Sequence, residues 1–98
     1  MVFFWLKNPD SPADRAAFET SLKKFINQSV FIRGMHVGTP APTDRPVIDS
    51  SYTYSLVLSF DSKADQDAYQ DEDGHQVFIA ECSPLWEKVV VYDSINIL

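Results

Sequence analysis

Four segments of the chain have the apolar pattern of β-strands. The runs Val2–Lys7, Val30–Val37 and Trp86–Tyr92 are rich in β-branched and aromatic residues. In Tyr52–Phe60 large apolar residues occupy every second position, so they share one face of an extended chain. That face would carry Tyr52, Tyr54, Leu56, Leu58 and Phe60. We therefore predict four strands, of which Tyr52–Phe60 has the clearest alternation.

Two other segments have the spacing of helices. Ser11 is a suitable N-cap, and Pro12 fits a first helical turn. The predicted helix runs to about Asn27, and its buried stripe consists of Ala17, Phe18, Leu22, Phe25 and Ile26. A second helix is predicted from Lys63 to about Glu72. Gly74 breaks it, and a short helical piece then continues to Ser83-Pro84.

The resulting order β-α-β-β-α-β predicts an α+β, ferredoxin-like fold with a four-stranded antiparallel sheet and helices on one face. Large residues alternate onto both faces of the first strand, with Phe3 and Trp5 opposite Phe4 and Leu6. Helices cover only one face. We therefore expect a second copy to cover the other and to close a dimeric α/β barrel. A long loop is predicted at Gly38–Ser51. The chain continues after the last strand into an apolar tail, Ile95–Leu98, which we expect to clamp onto the neighbouring copy.

Composition narrows the class of protein. With 98 residues, the chain is predicted to be one domain spanning residues 1–98. Eight Lys and Arg against a net charge of -6 argue against binding to nucleic acid or to anionic membrane surfaces. No apolar run reaches the ~20 residues of a membrane span, and no signal peptide is evident. Cys82 is the only cysteine, which fits a reducing compartment, so we expect a cytoplasmic protein.

Several segments in a fixed order carry a resemblance to a known family: Phe3–Lys7, Val37-Gly38, Leu56–Ser62, Ala68–Gln70, His75 and Ser83–Asp93. Together they resemble the stress-responsive A/B barrel domain (Dabb) family over nearly the whole chain. The resemblance implies a dimeric α/β barrel of two ferredoxin-like chains. Most members of that family have no assigned activity. One branch, the plant polyketide cyclase olivetolic acid cyclase, closes a ring by an aldol-type reaction.

In that branch a Tyr and a His six residues apart form the catalytic pair, and the resemblance places this pair at Tyr69 and His75. A neutral imidazole can accept a proton from a carbon next to a carbonyl, while a Tyr hydroxyl polarises that carbonyl. Six residues along one helix would not share a face, so the break at Gly74 is needed to bring the two together. We expect both to line a cavity between the helices and the sheet. In the alternative interpretation His75 bonds a backbone group and Tyr69 is a core residue.

Further residues are candidates for contact with a ligand, and each also has a structural interpretation. A lone strand histidine and two tryptophans are common packing residues, or interface anchors for the tryptophans. Tyr54 stands where the cyclase branch has a strand histidine. The candidate ligand-binding residues are Trp5, Tyr54, His36, Phe78 and Trp86.

No metal or cofactor is expected. The acidic stretch around Asp71–Asp73 lacks the terminal ligands of a calcium loop, because Tyr69 and Ala80 stand where that loop needs Asp and Glu. It is predicted to be a solvated helix face. Phosphate-binding, serine-nucleophile and zinc motifs are absent from the sequence. Cys82 is predicted to be a buried structural thiol.

Two classes of function remain open from the sequence. The first is a homodimeric module with an apolar cavity, which binds a small apolar or carbonyl-containing ligand or serves in a stress response without chemistry. The second is a small cofactor-free enzyme, polyketide-cyclase-like or monooxygenase-like, that uses His75 and Tyr69 on a carbonyl substrate. The resemblance to the fold cannot choose between them.

Overall fold

The computed structural model describes residues 1–98 and contains four strands and three helices. In chain order they are β1 (Val2–Leu6), α1 (Pro12–Gln28), β2 (Gly34–Gly38), β3 (Tyr54–Ser59), α2 (Lys63–Tyr69), α3 (Asp73–Cys82) and β4 (Trp86–Val91). The strands form one sheet in the order β2-β3-β1-β4, and every neighbouring pair is antiparallel. The predicted ferredoxin-like α+β fold is confirmed. None of the three helices has the length and apolar character to cross a membrane.

The helices cover the face of the sheet on which Phe4, Leu6, Tyr54 and Leu56 lie. Each of these four side chains is buried, and β1 contributes alternate residues to this face because successive side chains of a strand point to opposite sides. Aromatic rings make up much of the core. Its buried members are Phe4, Leu6, Phe18, Leu22, Phe25, Ile26, Tyr54, Leu56, Phe78 and Cys82. The buried thiol of Cys82 agrees with the expected structural role.

The opposite face of the sheet, which we call the open face, has no helix over it. Phe3 packs edge-on against Tyr52 and Tyr92, with ring centroids 5.0 and 6.2 Å away. Trp5 donates a hydrogen bond from Nε1 to Ser51 Oγ at 3.1 Å, and the Nζ of Lys88 lies 4.5 Å from the centre of its ring. These aromatic rings are partly or largely exposed, so the single chain leaves an apolar patch on this face.

Two strand predictions are wrong at their beginnings. The strand predicted from Val30 begins only at Gly34, because the Val30 N–H donates to the side chain of Glu72 instead of to a strand. The strand predicted from Tyr52 begins at Tyr54, because the Thr53 hydroxyl takes the place of a backbone acceptor and receives the Leu6 N–H at 3.0 Å. This irregularity buries Thr53 and puts Tyr52 on the open face, away from Tyr54.

The helices also differ in detail from the prediction. The buried stripe of α1 includes Ser21, whereas Ala17 is exposed. The helix break falls before Gly74, because the N–H groups of Asp71 and Glu72 bond three residues back and tighten the end of α2. Gly74 lies within α3 and permits close packing there. A Cβ at this position would lie 3.2 Å from Gln28 Oε1.

Candidate functional site

A cavity of about 1000 Å³ lies between the helix-covered face of the sheet and the helices α2 and α3. The strands β1, β3 and β4 supply its floor, and the tail after β4 supplies part of its rim. Most of the lining is apolar, including Val2, Phe4, Phe25, Leu56, Leu58, Phe60, Phe78, Ile79, Trp86, Val89 and Val91. A space of this size and character suits a small apolar molecule.

Tyr69 and His75 both line this cavity, and their ring centroids are 5.2 Å apart with the rings nearly perpendicular. Tyr69 is the last residue of α2, and His75 is in the first turn of α3. The tight turn between the helices reorients the chain, which lets two residues six positions apart meet. The geometry therefore agrees with convergence at a helix break, although the break precedes Gly74.

The His75 ring is enclosed by aromatic neighbours. Its centroid lies 5.4 Å from that of Phe25, and its Nδ1 is buried with no hydrogen-bond partner in the structure. Burial lowers the pKa of His75 below the ordinary imidazole value, while a backbone group of Gln70 and the charge of Glu72 act in the opposite direction. The imidazole is therefore predominantly neutral near pH 7. A neutral imidazole nitrogen without a partner can accept or donate a hydrogen bond.

The Tyr69 ring lies between Phe60 and Phe25, with centroid distances of 4.6 and 6.0 Å. Burial raises the pKa of Tyr69, and the nearby negative charge of Asp93 adds to this effect. The phenol consequently stays protonated at neutral pH and acts as a hydrogen-bond donor. The pair thus combines a neutral nitrogen base with a protonated hydroxyl beside an apolar space.

Polar side chains gather at the mouth of the cavity. Gln66 donates to Asp93 Oδ1 at 3.0 Å, which ties the start of the tail to α2. Lys63 pairs with Asp67 at 3.0 Å, one helical turn further along. Ile95 lines the rim of its own chain's cavity, while Ile97 and Leu98 are exposed. The expectation that Ile95–Leu98 clamps onto a neighbour stays a prediction.

The structure brings together four of the seven candidate site residues. Phe78 and Trp86 line the cavity with Tyr69 and His75, and the Phe78 and Trp86 ring centroids are 6.0 Å apart. Trp5, His36 and Tyr54 do not line it. Trp5 and His36 lie on the open face, because both alternate with residues that face the helices.

Tyr54 is buried beneath α1 instead of lining the cavity. Its ring stacks on Phe18 at 4.6 Å, and its hydroxyl donates to Glu19 Oε2 at 2.5 Å. Burial, followed by the hydrogen bond and charge of Glu19, raises the pKa of Tyr54 to about 12, although the nearby Arg15 opposes the shift. These contacts account for Tyr54 as a core residue with a satisfied hydroxyl.

Several residues of the cavity are not among the candidates predicted from the sequence. Phe25 was recognised only as part of a buried stripe, yet its ring stacks on Phe78 at 5.3 Å and borders both Tyr69 and His75. Leu58 and Val89 face the cavity from the sheet, and strand alternation alone could have assigned both to the helix-covered side. The contribution of the tail has no comparable signal in the sequence. No group of three or more His, Cys, Asp or Glu side chains converges to hold a metal ion.

Comparison with known proteins locates the chain in a family. The model of the stress responsive A/B barrel domain (Dabb) matches residues 1–96. No curated protein sequence matches the chain.

Three solved structures share the fold. A Dabb family protein with a ferredoxin-like fold from Mesorhizobium loti is 21% identical, with a TM-score of 0.74 over 97% of this chain and 93% of that one. A hypothetical protein from Arabidopsis thaliana is 18% identical, with a TM-score of 0.72 over 99% and 87%. A dimeric ferredoxin-like protein of unknown function from Thermobifida fusca is 20% identical, with a TM-score of 0.71 over 91% and 80%. At these identities the likeness concerns the fold alone.

Proposed function

The chain belongs to the stress responsive A/B barrel domain family, and we propose that it acts as a homodimeric module that binds a small apolar or carbonyl-containing ligand beside Tyr69 and His75. The observation that carries the proposal is the cavity of about 1000 Å³, whose lining is mostly apolar but includes the Tyr69 and His75 rings 5.2 Å apart. Small-molecule sites are typically apolar spaces with a few polar groups that orient the ligand.

The homodimer is proposed from the open face. Phe3, Trp5 and Tyr92 leave an apolar surface without a covering element, and such surfaces commonly mark contact with another protein. The relative from Thermobifida fusca is described as dimeric. A second copy placed face to face would cover both patches by the same contacts, as a two-fold interface requires.

Binding is tested with an uncharged fluorescent probe, N-phenyl-1-naphthylamine, by titration and fluorescence. Val89 in β4 lines the cavity, whereas Val77 on α3 is exposed and does not line it. Val89→Phe should narrow the cavity and weaken probe binding at least about tenfold, whereas Val77→Phe should leave it within a factor of about two. Failure of the original protein to bind the probe, or equal binding by both variants, would contradict the proposal.

A second candidate function is a cofactor-free enzyme that acts on a carbonyl compound, favoured by the 5.2 Å separation of the Tyr69 and His75 rings. In this hypothesis the imidazole takes a proton from the carbon next to the carbonyl. The C–H electron pair then moves to form the enolate, whose oxygen accepts a hydrogen bond from the Tyr69 hydroxyl. The lowered pKa of His75 and the raised pKa of Tyr69 put both groups in the required protonation states.

The two functions are separated by His75→Ala. Deuterium exchange at the methyl group of acetophenone in D2O, followed by NMR, reports proton abstraction next to a carbonyl. An enzyme should accelerate this exchange and lose the acceleration in His75→Ala, while a binding module should show none and keep probe affinity within a few-fold. Tyr69→Phe should reduce the exchange rate without abolishing probe binding.

A further inference from the structure

Glu72 joins two helices at the point where the candidate site is built. Its Oε1 accepts a hydrogen bond from Ser29 Oγ at 2.5 Å, and its Oε2 accepts the Val30 N–H at 3.1 Å. Ser29 caps the C-terminal end of α1. The carboxylate of Glu72 therefore holds the end of α1 through both of its oxygens.

The backbone of the same residue holds the start of α3. The carbonyl oxygen of Glu72 accepts the N–H of His75 at 3.1 Å and that of Gln76 at 3.2 Å. Glu72 thus links the first turn of α3, which carries His75, directly to α1. A shift of the carboxylate would move the backbone to which His75 is attached.

The use of this side chain differs from that of the other helix caps. Ser11 and Ser62 each occupy the N-cap of their helix and accept an N–H of its first turn. Glu72 occupies the N-cap of α3 but makes no side-chain bond to that helix. Its carboxylate serves the contact between helices, at the expense of the local cap.

The contact that Glu72 secures includes a wall of the cavity. Phe25 lies on α1 one turn before Ser29, and its ring borders His75 at 5.4 Å. Gly74 lies against the end of α1, where an added Cβ would stand 3.2 Å from Gln28 Oε1 and in ordinary contact, 4.0 Å, with the Phe25 Cα. The distance between Phe25 and His75 therefore depends on how α3 is held against the end of α1.

We propose that Glu72 is a positioning residue for the candidate site, because its two-oxygen contact with Ser29 and Val30 holds the His75 imidazole against Phe25 at the cavity wall. The proposal rests on the proposed function for the choice of the site. Glu72 does not line the cavity, so its effect on a ligand is transmitted through His75 and Phe25.

The test compares Glu72→Ala, Glu72→Gln and Ser29→Ala with the control Asp73→Asn. Asp73 is exposed, adjacent in sequence, and its side chain makes no hydrogen bond, so this control removes a nearby charge without touching the contact. Ser29→Ala removes the bond from Ser29 Oγ to Glu72, together with the bond that Ser29 Oγ accepts from the Phe31 N–H, and leaves α3 unchanged. It also keeps the test valid should Glu72→Ala fold poorly.

The imidazole signals of His75 and His36 are measured by NMR at pH about 8, above the ordinary imidazole pKa. These are the two histidines of the chain, and His36 on the open face serves as an internal reference. In Glu72→Ala the His75 signals should lose the ring-current shift caused by Phe25 and Tyr69, while those of His36 stay in place. Glu72→Gln and Ser29→Ala should give smaller shifts, and Asp73→Asn none.

Probe titration with N-phenyl-1-naphthylamine gives the second measurement. Affinity should fall about five- to tenfold in Glu72→Ala and less in Glu72→Gln, which keeps one acceptor oxygen. Unchanged His75 signals in a folded Glu72→Ala variant would overturn the proposal, as would equal shifts in Asp73→Asn. If the original protein does not bind the probe, the proposed function fails, but the NMR comparison still decides the role of Glu72.

Discussion

On the helix-covered face of the sheet, Phe4, Leu6 and Tyr54 are at most 3% exposed, whereas Phe3 and Trp5, their chain neighbours on the open face, are only half-buried. The residues on the two faces are similar in size and character. Their burial differs because the helices cover one side alone. Large apolar residues in a strand therefore indicate that the face they share is buried in the functional protein. Whether helices of the same chain or another molecule bury that face depends on the topology.

The largest expected effect is a loss of stability that differs between the two faces of the sheet. Phe18→Ala removes a completely buried ring that stacks on Tyr54 and packs edge-on against Phe4, and it should lower the free energy of unfolding by about 3–5 kcal/mol. Phe3→Ala removes the same group from the open face. Measured by urea denaturation at low protein concentration, where a dimer would dissociate, it should cost less than about half as much. Equal losses would show that the open face is as well packed as the core.

The next effect concerns association. Val90→Lys puts a charge on the open face. Burying this unpaired charge between two copies would cost about 2 kcal/mol or more. Sedimentation velocity at micromolar concentration should show a dimer for the original protein and a monomer for this variant. Val77→Lys makes the same change on the exposed side of α3 and should leave the dimer intact. A monomeric original protein would refute the association outright.

A smaller effect tests the hydrogen bond that the Tyr54 hydroxyl makes beneath α1. Tyr54→Phe deletes the hydroxyl that donates to Glu19 and should lower stability by about 1 kcal/mol. Tyr52→Phe changes the same group on the open face, where the hydroxyl makes no hydrogen bond, and should have almost no effect.

The Tyr54 hydroxyl should also make the stability of the fold depend on pH in alkaline solution. Because the pKa of Tyr54 is raised to about 12 in the folded protein, deprotonation is easier in the unfolded chain, and stability should fall as pH rises above about 10. Denaturation across this range should show a shallower decline for Tyr54→Phe than for Tyr52→Phe.

Sequence patterns predicted the architecture well because local periodicity and the core alternation agree. The β-α-β-β-α-β order and the cap Ser11 follow from local residue types, and the structure contains them. The pattern failed where a long-range contact overrides local preference. Val30 has strand propensity, but its N–H is taken by Glu72, 42 residues away. Thr53 disrupts the alternation through a hydroxyl, which periodicity does not detect.

The candidate site was predictable to a more limited degree. Tyr69 and His75 were selected through a resemblance to a family, and Phe78 falls within the short helical piece predicted before Ser83-Pro84. Tyr54 was a candidate because it stands where the cyclase branch has a strand histidine. The sequence predicts the first helix but not that this helix lies over Tyr54, whose hydroxyl donates to Glu19 in the structure. The rim formed by Asp93 and Ile95 depends on the path of an irregular tail, for which no periodic signal exists.

The smallest effect distinguishes the two histidines, one on each side of the sheet. Burial lowers the pKa of His75 in the folded protein, so between the ordinary imidazole pKa of about 6.5 and this lower value the unfolded chain binds more protons. The contribution of neutral His75 to the free energy of unfolding is therefore fully present above about pH 6.5. It is lost as the pH falls through the pKa of His75 in the folded protein. His75→Asn should remove this acid-dependent loss, whereas His36→Asn on the open face should retain it.

Chemical denaturation at a series of pH values between about 5 and 7 measures the difference, because carboxylates with ordinary pKa values near 4 remain mostly ionised there. The charges near the two rings of the pair are Glu72, which favours the imidazolium, and Asp93, which acts on Tyr69. Glu72 only partly offsets burial, so the net direction is set by the aromatic wall around the ring. An identical acid dependence in His75→Asn and the original protein would mean that solvent reaches the ring as freely in the folded state as in the unfolded chain. The apolar wall of the cavity would then not enclose His75.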